Sequence, residues 1–259
     1  MLFLLKSYLK FLWHSKNEHG VQSPFVFNLV TKCFYDKKNY SEYSILKNYR
    51  NTLLQNKEFI TVTDFGAGSR VFKSNIRAIH KIAKNVGISQ KRAQLLFRLV
   101  KYFQPETVLE IGTSLGLASS AIALGNPKAT ITSLEGCPET LRIAQEQFEK
   151  FNLKNTHFIN TKFEDYLEAS KLSEAKYALI YFDGHHSKQA TLEYFNHLLP
   201  TISNDTIWIF DDIHWSAGME EAWDIIKNHP NVTVTIDTFQ WGLVFFRKEQ
   251  AKEHFTIRI

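Results

Sequence analysis

Apolar and polar positions along this chain change regime near Gln104. From there on, short apolar runs alternate with amphipathic stretches. Strands are expected near 107–111, 129–134, 156–160, 177–183, 205–211, 232–237 and 241–247. Helical spacing separates the first six, at about 115–125, 138–152, 163–170, 187–199 and 216–229. Alternating units of this kind predict an α/β fold, with a mostly parallel seven-stranded sheet covered on both faces. Only a short turn joins the last two runs, so the final strand must run antiparallel to its neighbour.

The first 87 residues lack this rhythm and read as a mainly helical extension or lid, leaving 88–259 as the main domain. Residues 1–16 are leucine- and aromatic-rich but interrupted by Lys6 and Lys10. They are too short and too charged to span a bilayer, and lack the pattern of a secretory signal. The reading preferred is a helix packed on the main domain or on a second subunit, with a membrane-surface helix as the alternative. Pro24 opens a helix through about Phe34. The aromatic residues Phe25, Phe27, Phe34, Tyr35, Tyr40 and Tyr43 are expected to seal the extension onto the main domain. Residues 71–102 read as helix throughout, with Ile76, Ile79, Ile82 and Ala83 followed by Leu95, Leu96, Leu99 and Val100.

Composition narrows the setting. Two cysteines, Cys33 and Cys137, make neither a disulfide framework nor a C-x-x-C metal pattern, so a reducing, cytoplasmic setting is expected. A net charge of +5 allows an acidic partner, but the lysines are scattered. With no basic run, nucleic acid is disfavoured as a partner.

The stretch Thr107–Gly116 carries the chemistry: an apolar strand ending in Glu110, then Gly112 and Gly116, then a helical pattern from Leu115. Such a strand–turn–helix lets a ligand approach the backbone closely. The spacing is not that of a pyrophosphate-binding turn, and Glu110 would repel a phosphate; an amine or other cation suits it. Roughly 20 residues on, the next strand also ends in an acid, Glu135, placed to accept the two hydroxyl protons of a ribose. A second strand-then-glycine run, Phe59–Arg70, has no acid-ending strand after it and is rejected as a cofactor site. It reads as a hairpin or lid loop, whose Asp64 and Arg70 serve a turn or touch substrate.

V-L-E-I-G-T-S-L-G-L-A-S, at 108–119, resembles the glycine-rich motif of class I S-adenosylmethionine-dependent methyltransferases. The resemblance covers about residues 88–247. It implies a Rossmann-like sheet closed by a hairpin. It also implies S-adenosylmethionine held by Glu110, Gly112, Thr113, Ser114, Gly116 and Glu135, with Phe163 beside the adenine.

Two further apolar strands end in acids: Tyr177–Asp183, followed by Gly184-His185-His186-Ser187, and Thr206–Asp211, followed by Asp212. Neighbouring strand ends share one crevice in an open parallel sheet. Asp183, Asp211 and Asp212 can therefore converge on a hard cation such as Mg²⁺, Mn²⁺ or Ca²⁺. The arrangement resembles the divalent-metal-dependent O-methyltransferases, of the catechol and the sugar- or antibiotic-tailoring types. There Asp183, Asp211 and Asp212 correspond to the metal ligands, and His185 stands where some relatives carry an acidic base. Other roles stay open: Asp212 as a helix N-cap, Asp183 on the cofactor amine, and His185 or His186 bonded to backbone at a turn. Cys137 precedes a proline and does not fit a nucleophile motif.

The reading is thus an S-adenosylmethionine-dependent enzyme that O-methylates a small or medium-sized hydroxylated substrate with metal assistance. The alternatives are a nucleic-acid methyltransferase and a catalytically silent binding or membrane-surface protein. Whether the chain forms a homodimer is left open.

Overall fold

The structure, a computed structural model, describes residues 2–63, 65, 74–169 and 176–259. Two compact units divide the chain: 36–165, and 1–35 together with 166–259.

The terminal unit begins with helix α1 (Leu2–His14). Helix α2 (Pro24–Leu29) follows, continued by a π-helical turn over Val30–Phe34. Ser23 caps α2 by accepting from the Val26 N–H at 3.4 Å, and Pro24 gives up no hydrogen bond in the first turn. The helix expected to Phe34 is present, and Phe25 meets the Phe245 ring edge-on at 5.0 Å.

The central unit opens with helix α3 (Glu42–Gln55) and a hairpin of strands β1 (Phe59–Thr61) and β2 (Ile76–Ala78). Helices α4 (Ile79–Asn85) and α5 (Gln90–Phe103) complete its first half. The continuous helix expected over 71–102 is thereby corrected. Ile76, Ile79 and Ile82 have helical spacing, but Ile76 pairs with Thr61 across a strand ladder and is largely exposed. The helical pattern begins in earnest at Ile79. Asp64, Gly66, Gly68 and Arg70 lie outside the described residues. Tyr40 and Tyr43 pack edge-on against Phe97 of α5.

Next come strand β3 (Thr107–Ile111), helix α6 (Leu117–Gly125), β4 (Thr130–Glu135), α7 (Pro138–Lys150) and β5 (Thr156–Asn160). The three strands pair in parallel, β4 between β3 and β5, with Glu110 opposite Ser133. Helix α8 (Phe163–Ala169) follows β5.

The rest of the terminal unit runs β6 (Leu179–Phe182), α9 (Lys188–Leu198), β7 (Ile207–Asp211), α10 (Ala217–Asn228), β8 (Val234–Asp237) and β9 (Trp241–Phe245). β6 and β7 are parallel, and β9 runs antiparallel to both β7 and β8. Every residue of β6, β7 and β9 is buried, as strands covered on both faces must be. Trp208 and Phe182 sit in this core, Phe182 stacked on Phe210 at 4.2 Å. Burying each such ring contributes about 2–3 kcal/mol.

An eighth strand joins the seven expected. β10 (Glu253–Thr256) pairs in parallel with β8. Its pattern hid it: Glu253 and His254 are exposed and only Phe255 and Ile257 reach the core, as charged edge strands do.

Candidate active site

In the central unit the site is built where β3 and β4 end. Glu110 is fully buried. Its register partner Ser133 and Ser119 of α6 both donate to Oε2, each at 2.5 Å. Oε1 has no hydrogen-bond partner among the described residues. Burial pushes the Glu110 carboxyl up to about 7 against the pull of the two serines, and the Glu135 charge pushes the same way.

That shift has a sign. As pH rises from about 4.5, the unfolded carboxyl ionises while the buried one keeps its proton, so stability falls until about pH 7 and is level above it. The loss is on the order of 3 kcal/mol. Glu110→Gln removes it. The melting temperature of the variant relative to wild type should climb between pH 4.5 and 7; a pH-independent difference would refute the assignment.

After β3 the backbone turns through positive φ at Gly112 (108°), Ser114 (48°) and Gly116 (75°). Gly116 caps α6, and a Cβ there would run into the Tyr49 hydroxyl, which donates to the Leu115 carbonyl at 3.0 Å. Glycine is required by both backbone and space. The Gly112 and Thr113 N–H groups donate to the Leu134 carbonyl, each at 3.0 Å. Thr113 is buried, its hydroxyl 2.5 Å from that of Ser133, so it belongs to the wall behind the turn.

Glu135 closes the cradle. Its Oε2 accepts from the Ser114 N–H at 2.7 Å and Oε1 from the Cys137 N–H at 2.9 Å. Burial raises its pKa, and these backbone donors work the other way. The Thr140 hydroxyl and the Gly136 N–H also act on this carboxylate and lower its pKa in the same sense. Phe163 is half-buried at the start of α8.

In the terminal unit, Asp183 and Asp211 meet at one hydroxyl. Tyr181 lies 3.2 Å from Asp211 Oδ2 and 3.4 Å from Asp183 Oδ2. Asp211 is buried, and its Oδ1 accepts from the Asp212 N–H at 2.7 Å. His186 Nε2 stands 3.6 Å from Asp183 Oδ1, while His185 Nδ1 is buried with no hydrogen-bond partner among the described residues. It is therefore His186 that pairs with Asp183. His185 (φ 61°) and Asp212 (φ 54°) both hold the left-handed conformation, a cost that clusters at functional loops.

Asp212 does not cap the following helix; Ser216 does, accepting from the Met219 N–H at 3.2 Å. Among the described residues, no group of three or more His, Cys, Asp or Glu side chains is placed to hold a metal ion.

Sequence reasoning passed over Tyr181, Ser119, Ser133 and His214. Tyr181 was accessible by period: two residues before Asp183 on a strand, it shares that side chain's face. His214 is held between Glu220 (2.7 Å) and Asp237 (2.9 Å) and stacks on Phe239. Burial alone would lower its pKa; the two carboxylates outweigh burial and raise it.

Residues 109–213 match the family model of a methyltransferase domain. Solved structures agree over most of the chain. The SAH-bound methyltransferase PaMTH1 of Podospora anserina superposes with a TM-score of 0.60 at 15% identity, over 88% of this chain and 97% of that one. This is a methyltransferase fold. The O-methyltransferase of Bacillus cereus in complex with SAH shares that fold at a TM-score of 0.57 and 16% identity, over 84% and 96% of the two chains. So does TomG of Streptomyces achromogenes, an O-methyltransferase involved in tomaymycin synthesis, at 0.57 and 14%, over 84% and 95%. Glu110 to Gly116 and Glu135 lie at the strand ends where an open parallel sheet of this kind binds its ligand.

Proposed function

We propose that the protein is an S-adenosylmethionine-dependent O-methyltransferase acting on a small or medium-sized hydroxylated substrate. The observation that carries this is Glu135, tied by the Ser114 and Cys137 N–H groups to the Gly112–Gly116 turn of a methyltransferase fold. Glu135 presents its carboxylate to the ribose hydroxyls. The glycines let the cofactor approach the backbone. Glu110, whose Oε1 has no hydrogen-bond partner among the described residues, sets a carboxyl behind the turn, suited to the cationic methionine end. When bound, the cofactor supplies an electrophilic sulfonium methyl.

The chain's own residues then handle the acceptor. His186, oriented by Asp183, takes the proton from the acceptor hydroxyl as its oxygen attacks. The Tyr181 hydroxyl, shared between Asp183 and Asp211, holds Asp183 in place. Alignment of oxygen, methyl and sulfur supplies much of the remaining acceleration. No helix among the described residues is long and apolar enough to cross a membrane.

Calorimetric titration with S-adenosylmethionine, with and without Mg²⁺, tests the reading. Binding is expected in roughly the micromolar-to-millimolar range, unaffected by Mg²⁺, followed by transfer of labelled methyl to a catechol or polyol acceptor. No binding under either condition would overturn the function. A requirement for Mg²⁺ would return Asp183, Asp211 and Asp212 to a ligand role.

A further inference from the structure

Helix α1 has two apolar faces, and only one is used. Ser7 and Phe11 are buried, and the Tyr8 and Phe11 rings meet Phe239 at 4.9 and 5.5 Å. At 3.6 residues per turn, Leu2, Leu5, Leu9 and Trp13 fall together on the opposite side. They are 76, 55, 58 and 87% exposed. A stripe of three leucines and a tryptophan turned to water is not what a helix shaped only for packing on its own chain would carry.

The charges around the stripe say what covers it. Lys6 and Lys10 run along one of its edges, Lys16 follows, all three are exposed, and no acidic residue precedes Glu18. A second copy of the chain would lay stripe on stripe, since a two-fold interface is self-complementary. Lys6 and Lys10 of one helix would then face lysines of the other, with no carboxylate on the helix to pair them. An anionic surface receives the same charges favourably. The 13-residue helix is too short to cross a bilayer but long enough to lie in its plane. Tryptophan and leucine there enter the acyl boundary while lysine stems reach the phosphates.

We propose that α1 docks the protein on the surface of an anionic phospholipid bilayer, with Leu2, Leu5, Leu9 and Trp13 inserted and Lys6 and Lys10 on headgroup phosphates. The inference is independent of the chemistry assigned to the active site.

The test is flotation of the full chain with vesicles of phosphatidylcholine containing phosphatidylglycerol, and with phosphatidylcholine alone, together with tryptophan fluorescence. Binding and a blue shift are expected with the anionic vesicles only. Lys6→Gln with Lys10→Gln should weaken partitioning by roughly tenfold or more. Leu9→Glu and Trp13→Glu should abolish it with the melting temperature unchanged, since both side chains face water. Two results would overturn the proposal: no binding of wild type to anionic vesicles, or wild-type binding by Leu9→Glu. A lipid-free dimer in sedimentation that Leu9→Glu dissociates would assign the stripe to a second copy instead.

Discussion

Replacing Glu135 by alanine is expected to weaken S-adenosylmethionine binding by roughly 10²- to 10⁴-fold. Two hydrogen bonds from ribose hydroxyls to a carboxylate contribute about 1.5–3 kcal/mol each. The same carboxylate fixes the turn through the Ser114 and Cys137 N–H groups, so the loss has a second component in a loosened cradle. The two are separable. Glu135→Gln keeps one carbonyl acceptor and a similar shape, and should recover part of the affinity while restoring most of any fall in melting temperature. Titration calorimetry on the three proteins decides the matter. An alanine variant that binds within threefold of wild type would remove Glu135 from the ribose role.

Much of the fold could be read in advance because its strands are buried on both faces. The runs at Tyr177–Phe182 and Ile207–Phe210 are apolar without interruption, Val108–Ile111 is broken by Glu110 alone, and turn residues bound all three. What escaped was short or charged. β2 is three residues long and borrows its isoleucine spacing from the helix it precedes, while β10 buries little of itself. In such segments the pairing partner, remote in sequence, decides the structure. The N-terminal helix was legible in part: it packs on the main domain as expected, through Phe11 and Tyr8 on Phe239. Composition alone could not show that one helix faces two environments, and the leucines at 2, 5 and 9 face water.

The site divides in the same way. Gly112, Gly116 and Glu135 were legible because each residue type answers a backbone or ligand demand at fixed spacing from a strand. Ser119 and Ser133 were not, since their meaning comes from the carboxylate they reach, nine and twenty-three residues from Glu110. The choice between His185 and His186 likewise rested on a backbone detail. His185 holds a positive φ with its Nδ1 buried, while His186 stands beside Asp183.

That pairing leads to the other large effect. Asp183→Asn should lower kcat by roughly 10²- to 10⁴-fold, the usual range for loss of acid–base catalysis. S-adenosylmethionine should still bind within a few-fold of wild type. His186→Gln should behave alike. If the two act as a unit, the double variant will be little worse than either single one, because removing the orienting carboxylate already disables the base. Strict additivity of the two losses would separate Asp183 from His186. An affinity for S-adenosylmethionine that falls in step with kcat would instead move Asp183 from the acceptor's proton to the cofactor's amine. The Tyr181 hydroxyl supplies the control. Tyr181→Phe leaves both carboxylates in place but frees them from a common donor. A loss of only about tenfold or less is expected, from misplacement rather than missing chemistry.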